Sequence, residues 1–369
     1  MTFTERERTL LDRHRPLLLY DPQEDLRAMA IESAVVTRNL LRSDDGDVLA
    51  DHDDPELPDL SLDVIAAAPA AAHVVLAPDV ARTARRLQRD PAYADRVYGR
   101  VKAHEGRTWL QYWLWIYDNP KNVLGLGSHQ GDWEMVQVGL DAADRPEVVT
   151  LSQHKVGESR GWPDVDRRDG HPVVYVSMLS HALYFDHGTQ PYPGGIDHPF
   201  PGGPEVLPAV EAFGPWEVWG GRWGDRVRVL RGRFGNPPES PGCQSPRWDR
   251  PAAFKDGEWR RASRVFRAVL HWIGRATYPR APLLAAQLEP DAVAVAYELG
   301  RGPRGGRHVY LTLHTADGRH VLATRRVEHS PRAVETRFAL RGGAAAGLVV
   351  RASSFNRVRQ RSDVVEAAV

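Results

Sequence analysis

Residues 108–118 read TWLQYWLWIYD. In an extended chain side chains alternate between two faces, so Trp109, Gln111, Trp113, Trp115 and Tyr117 share one face and Leu110, Tyr112, Leu114, Ile116 and Asp118 the other. Both faces are mostly apolar, which is the pattern of a strand covered on both sides inside a sandwich. A glycine-rich link, LGLGSHQG, leads into DWEMVQVGL (132–140), where Asp132, Glu134, Val136 and Val138 fall on one face. The runs EVVTLSQH (147–154), HPVVYVSMLS (171–180) and RPLLLYD (15–21) extend the strand pattern on both sides.

The expected fold class is therefore mainly β, an N-terminal β-sandwich with peripheral helices. Asp79 is positioned to cap a helix over VARTARRLQR, and Asp90 followed by Pro91 predicts a second helix reaching about Lys102. The Asp- and Pro-rich stretch 44–63 reads as surface loop, and 188–251, dense in Gly, Pro and Trp, as a long irregular segment. An Arg-rich helix is expected at about Glu258 to Arg275. Beyond it, short alternating runs at 292–299, 308–315, 320–328, 333–340 and 347–355 predict a small antiparallel sandwich of the immunoglobulin or fibronectin III type. The expected division is a domain over 1–280 and a second over 281–369.

Composition removes several functions. Lys plus Arg and Asp plus Glu both number 48 among 369 residues, so no net positive field exists to hold nucleic acid. The single cysteine, Cys243, allows no intrachain disulfide and no thiolate zinc cage. The uncharged run Val64 to Pro78 is broken by Pro69 and His73 and is too short to span a bilayer. The N-terminal MTFTERERTLLDRHR has no apolar core of a secretory signal, so a cytoplasmic location is expected. No G-K-[ST] phosphate loop or H-E-x-x-H metal helix is found in the sequence.

The residues best suited to chemistry are His129, Asp132 and Glu134 in GSHQGDWEMVQV. On a strand the two carboxylates project from one face about 7 Å apart, beside valines, and burying them unpaired costs several kcal/mol. A divalent cation meets that need, as would some of the many arginines. Oxygen donors favour Ca2+, Mg2+ or Mn2+, and an imidazole leaves Fe2+ or Zn2+ open. Asp118, ending the preceding strand, is placed to complete the shell, as is the amide of Asn119.

The string YWLWIYDNPKNVLGLGSHQGDWEMVQV, with QHKVGE and HPVVYVSMLSHALYF, resembles bacterial members of the vacuolar protein sorting-associated protein 62 family, through an H-x-G-D-W-E core at His129, Gly131, Asp132, Trp133 and Glu134. The resemblance covers roughly residues 10 to 255. The same core is similar to the G-H-R-H-D-W-E heptapeptide of the necrosis- and ethylene-inducing peptide-like proteins, β-sandwich toxins that hold a divalent cation and bind sphingolipid glycans. That likeness implies metal ligands at His129, Asp132, Glu134 and Asp118. Gly131 stands where the toxins carry a second histidine. His181, in SHALYF, fits the family pattern and His154 ends a neighbouring strand; these two are the candidates to contact a ligand or move a proton. Trp216, Trp219 and Trp223 could offer a stacking surface or anchor a loop, and Glu158, Arg160 and Trp162 could line the mouth.

The function expected is cation-dependent recognition of a small polar ligand, a glycan or lipid headgroup, with no nucleic-acid partner. The alternatives are a metal-dependent hydrolase or lyase using the same site, and an assembly protein with a structural ion.

Overall fold

The computed structural model describes residues 2–22, 24–77, 79–120, 128–154, 156–188, 190–192, 195–197, 199–225, 237–254, 281–299, 308–315, 321–328, 334–340, 347–355, 362 and 365–369. The chain forms two compact units, one of Met1–Leu19, Gln23–Asp186 and Glu205–Glu258, the other of Tyr20–Pro22, His187–Pro204 and Trp259–Val369. The predicted helix at 258–275 and the predicted boundary at 280 lie outside the described residues.

In chain order come α1 (Glu5–His14), β1 (Leu17–Tyr20), β2 (Leu40–Arg42), β3 (Val48–Asp51), α2 (Leu62–Ala67), β4 (His73–Val75) and α3 (Val80–Leu87). The long strands follow: β5 (Arg96–His104), β6 (Arg107–Asn119), β7 (His129–Leu140), β8 (Pro146–Gln153) and β9 (Val156–Gly161). Shorter ones succeed them: β10 (Arg167–Arg168), β11 (His171–Val176), β12 (Leu183–Tyr184), β13 (Gln190–Tyr192), β14 (Gly195–Asp197), β15 (Glu205–Val206) and β16 (Ala209–Ala212). The C-terminal strands are β17 (Leu283–Leu288), β18 (Ala292–Glu298), β19 (His308–His314), β20 (Val321–Glu328), β21 (Val334–Ala339), β22 (Val349–Phe355) and β23 (Val365–Ala368). The mainly β class expected from the sequence is what the chain adopts.

The first unit is built on the sheet β16-β5-β6-β7-β8-β9, antiparallel apart from the β16–β5 pair. A second sheet, β10-β11-β1-β15 with β12 on β11, supplies the facing layer, and β12 packs on β7 and β8. β6 is buried from Trp109 to Asn119 as its two apolar faces require. On one side α1 seats over β5 and β6, where the Tyr112 hydroxyl donates to the Leu11 carbonyl at 2.9 Å. On the other, two buried glutamines hold a covering segment: Gln111 Nε2 donates to the Arg247 carbonyl at 2.6 Å and Gln137 Nε2 to the Pro251 carbonyl at 2.9 Å.

Two expectations change. The helix predicted for 91–102 is instead the strand β5, which pairs with both β6 and β16. Asp90 does accept hydrogen bonds from following amides, but in a turn: tertiary pairing on two edges outweighs a local capping signal. Trp216, Trp219 and Trp223 are 3%, 3% and 0% exposed, so they form core and not a ligand-stacking surface. Trp216 stacks on Trp133 with ring centroids 5.8 Å apart, and Trp223 packs edge-on to Trp115 at 5.7 Å.

In the second unit, sheets β17-β18-β21 and β20-β19-β22-β23 enclose one core. Val293, Val295 and Tyr297 of β18 face Val309, Leu311 and Leu313 of β19 and Phe338 of β21, all within that core. Their alternation is the one that the sequence displays. No helix among the described residues is long and apolar enough to cross a membrane.

Candidate functional site

The candidate residues lie where the β6–β7 hairpin opens. Register pairs Ile116 with Asp132, Leu114 with Glu134, Asp118 with Gln130 and Asn119 with His129. Gly131 bends β7 there with φ 65°. A Cβ at this position would stand 2.0 Å from the Trp223 carbonyl oxygen and 2.6 Å from the Trp115 ring, so only glycine fits. This accounts for the absence of a second histidine in the motif. Gln130, which sequence reasoning passed over, pins the same turn: its Oε1 accepts the Leu76 amide at 3.0 Å and the Asp225 amide at 2.9 Å.

Asp132 is the centre of a buried polar network. Its Oδ2 accepts from Asn119 Nδ2 at 3.0 Å and from His181 Nδ1 at 3.2 Å. No described residue hydrogen-bonds Oδ1, and the side chain keeps 10% exposure at the rim. Burial pushes this carboxyl up, but the His181 bond, the charges of His129 and His181 and the Asn119 bond outweigh it and hold the pKa below the ordinary value. Burial alone would lower the His181 pKa; its bond to Asp132 and the nearby charges of Glu24, Asp132 and Asp118 raise it. His181 is 0% exposed, and its Nε2 lies 3.9 Å from Glu24 Oε2.

The other predicted ligands have separate engagements. Glu134 accepts a short hydrogen bond from Ser152 Oγ, which itself accepts the Met135 amide at 2.7 Å. His129 Nδ1 donates to the Gly131 carbonyl at 2.6 Å, which leaves Nε2 as its free ring nitrogen among the described residues. Asp118 is buried at the strand end and acts on His181 through its charge. His154 turns the chain between β8 and β9 with φ 58°, and its carbonyl receives Arg247. Among the described residues no three His, Cys, Asp or Glu side chains are grouped to hold a metal ion.

Arg247 is the second residue the sequence did not single out. It is buried over the Phe254 ring at 5.1 Å. Burial lowers its pKa, and the charges of Glu134 and Asp132 offset part of that. Glu158 and Arg160 close on one another and on Asp186, with Arg160 stacked on Phe185 at 4.7 Å. Trp162 packs against His14 and Arg167, apart from this network.

No protein-family model matches the chain, and the resemblance to the vacuolar protein sorting 62 family finds no support. The chain is similar to NLP effector protein 1 of Phytophthora capsici, 37% identical over 97 residues, which are 26% of this chain and 40% of that relative. It thus spans less than half the length of the relative it matches. Solved structures of NLPPya in complex with glucosamine (TM-score 0.32, 17% identity) and with mannosamine (TM-score 0.32, 16% identity) each cover 56% of this chain and 74% of their own. Similarity to the necrosis- and ethylene-inducing proteins is therefore shown in sequence. The cytoplasmic location expected above is withdrawn, because the sequence relatives are effector proteins of Phytophthora capsici. A charged N-terminal stretch speaks to one kind of leader and not to where related proteins work.

Proposed function

We propose that the protein recognises a small oxygen-rich ligand, a glycan or lipid headgroup, at the Asp132 rim through a divalent cation. One observation carries the reading. Asp132 is a buried carboxylate with one oxygen fixed by two donors, Asn119 and His181, and the other without a hydrogen bond from any described residue, on a side chain that keeps 10% exposure. A carboxylate oriented by hydrogen bonds to one oxygen is the arrangement in which a ligating group is aimed at a cation. Glu134 and the Nε2 of His129, on the same strand, would have to be drawn toward Asp132 to complete a set that suits Ca2+, Mg2+ or Mn2+, since the described residues hold no such group as they stand. Glu134 would have to turn from Ser152 to join it. The ion would supply open positions that hydroxyl or phosphate oxygens of the ligand complete.

Catalysis is the less supported use. A proton-moving group must reach the ligand, whereas His181 is wholly buried between two carboxylates. Its role in this reading is to orient Asp132. A structural corner is favoured by a different observation, that Glu134, His129 and Asp132 each already hold an intramolecular bond. Titration of Mn2+ and Ca2+ into the full chain, with Asp132→Asn beside it, separates the two. The recognition reading expects one equivalent bound by wild type and none by the variant, with amino-sugar or headgroup-vesicle binding lost on chelation. Absence of binding in wild type leaves the structural corner.

A further inference from the structure

Glu24 enters the Asp132 network from the segment after β1, and its side chain is 1% exposed. Oε1 accepts the Leu26 amide at 2.8 Å and Oε2 the Leu179 amide at 2.6 Å. Leu179 lies in the turn between β11 and β12, closed by the Ser177 amide on the Ala182 carbonyl at 2.9 Å and the His181 amide on the Ser177 carbonyl at 3.0 Å. Two residues of that turn are left-handed, Leu179 with φ 67° and His181 with φ 55°. Each costs an L-residue roughly 1–2 kcal/mol, and such backbone persists only where its surroundings hold it.

The turn decides where the imidazole points. His181 meets Asp132 through Nδ1 because the left-handed backbone projects its ring toward β7, with Nε2 turned to Glu24. The bond from the Leu179 amide to Glu24 joins the turn to a carboxylate whose own side chain is 1% exposed, a stronger hold than a neutral acceptor gives. We propose that Glu24 is the positioning residue of the site: by clamping the Leu179 amide it fixes the left-handed turn, and through His181 it fixes which oxygen of Asp132 faces the rim. The clamp stands on its own geometry; its consequence for binding rests on the cation reading above.

The test uses the full chain, Glu24→Gln as the isosteric change and Leu179→Gly as the control. Glutamine keeps the size but puts one amide donor against a backbone donor, so one of the two clamped N–H groups is lost. Expected are exchange of the Leu179 amide about tenfold faster, loss of the His181 Nδ1–H signal in ring-nitrogen NMR spectra, and Mn2+ binding about tenfold weaker, the scale of one charged hydrogen bond. Leu179→Gly keeps the amide and adopts positive φ freely, so it retains the His181 signal and binds Mn2+ within about twofold of wild type. Unchanged amide exchange and an unchanged His181 signal in Glu24→Gln overturn the clamp. Should wild type bind no Mn2+, the recognition reading fails while exchange and ring spectra still decide the clamp. Should Glu24→Gln not fold, the wild-type spectrum decides: a protected, downfield Nδ1–H supports the clamp, and a freely exchanging ring overturns it.

Discussion

Gly131 shows how much one atom decides. The motif reaches its geometry because the chain bends at φ 65° with the Trp223 carbonyl occupying the space of a Cβ. Gly131→Ala combines left-handed strain with overpacking against backbone, each costing roughly 1–3 kcal/mol. The expected loss is about 3 kcal/mol, read as a lower urea midpoint with unchanged slope; a loss below about 1 kcal/mol contradicts this packing. His14 offers a pH test in the same unit. It is 5% exposed, packs edge-on to Trp162 with centroids 5.9 Å apart, and among the described residues neither ring nitrogen has a hydrogen-bond partner. Burial first, then Arg13 and His171, lower its pKa to about 4, against the opposing charge of Asp144. The unfolded chain binds this proton from about pH 6.5 downward while the folded chain resists it. Stability from this residue is therefore full above pH 6.5 and falls between pH 6.5 and 4. Allowing for screening, about 2 kcal/mol is at stake. His14→Leu flattens that stretch of the stability profile in urea titrations, and a profile as steep as wild type refutes the assignment.

At the scale of elements, the central strand β6 was legible because burial on two faces writes a mainly apolar run, Trp109 to Tyr117 apart from Gln111, and β7 was legible from the alternation beside it, although its buried face also carries Asp132 and Glu134. Strand β5 was not legible. Arg96 to His104 carries a helix-style start before it, and only pairing with β6 and β16, neither near in composition, makes it a strand. Gly99 records that pairing, since a Cβ there would stand 2.5 Å from Val210. The tryptophans of 215–223 left two readings open, because a Trp-rich loop reads alike whether it faces solvent or a sheet, and their burial decides for the loop anchor. What the sequence hid in the site was long-range. Glu24 reaches His181, and Arg247 lies in the field of Asp132 and Glu134, from separate elements, and no local spacing announces such a meeting, whereas the Asn119 amide was legible at the strand end. The covering segment is held by side chains that sequence reading also passed over. Gln137 Nε2 donates to the carbonyls of Pro251 at 2.9 Å and Phe254 at 3.3 Å. Gln137→Leu removes both bonds, although the Pro251 carbonyl keeps the Phe254 amide at 3.2 Å, at a cost of about 1–2 kcal/mol. Limited proteolysis should then cut within 241–254 well before it does in wild type, and equal protection would show that packing alone holds the segment.

For the whole molecule, two separate cores set what ligand binding can and cannot stabilise. The core of the second unit joins β18, β19, β21 and β22, with Phe338 3% exposed at its centre. The candidate site is confined to the first unit, in Asn119, Asp132 and His181. A ligand that binds only folded protein stabilises the cooperative unit that contains its site, by about 2.7 kcal/mol at a hundred times its dissociation constant. Calorimetry of the full chain should therefore resolve two transitions. Phe338→Ala removes a core aromatic at about 3–5 kcal/mol and should lower one of them by on the order of 10 °C or more, which identifies it as the second unit's. Mn2+ should raise the other transition alone, and Asp132→Asn should abolish that rise without moving the Phe338-sensitive one. A rise in both transitions would mean that the ion is shared by the two units, and a rise only in the Phe338-sensitive one would move the cation away from Asp132 altogether.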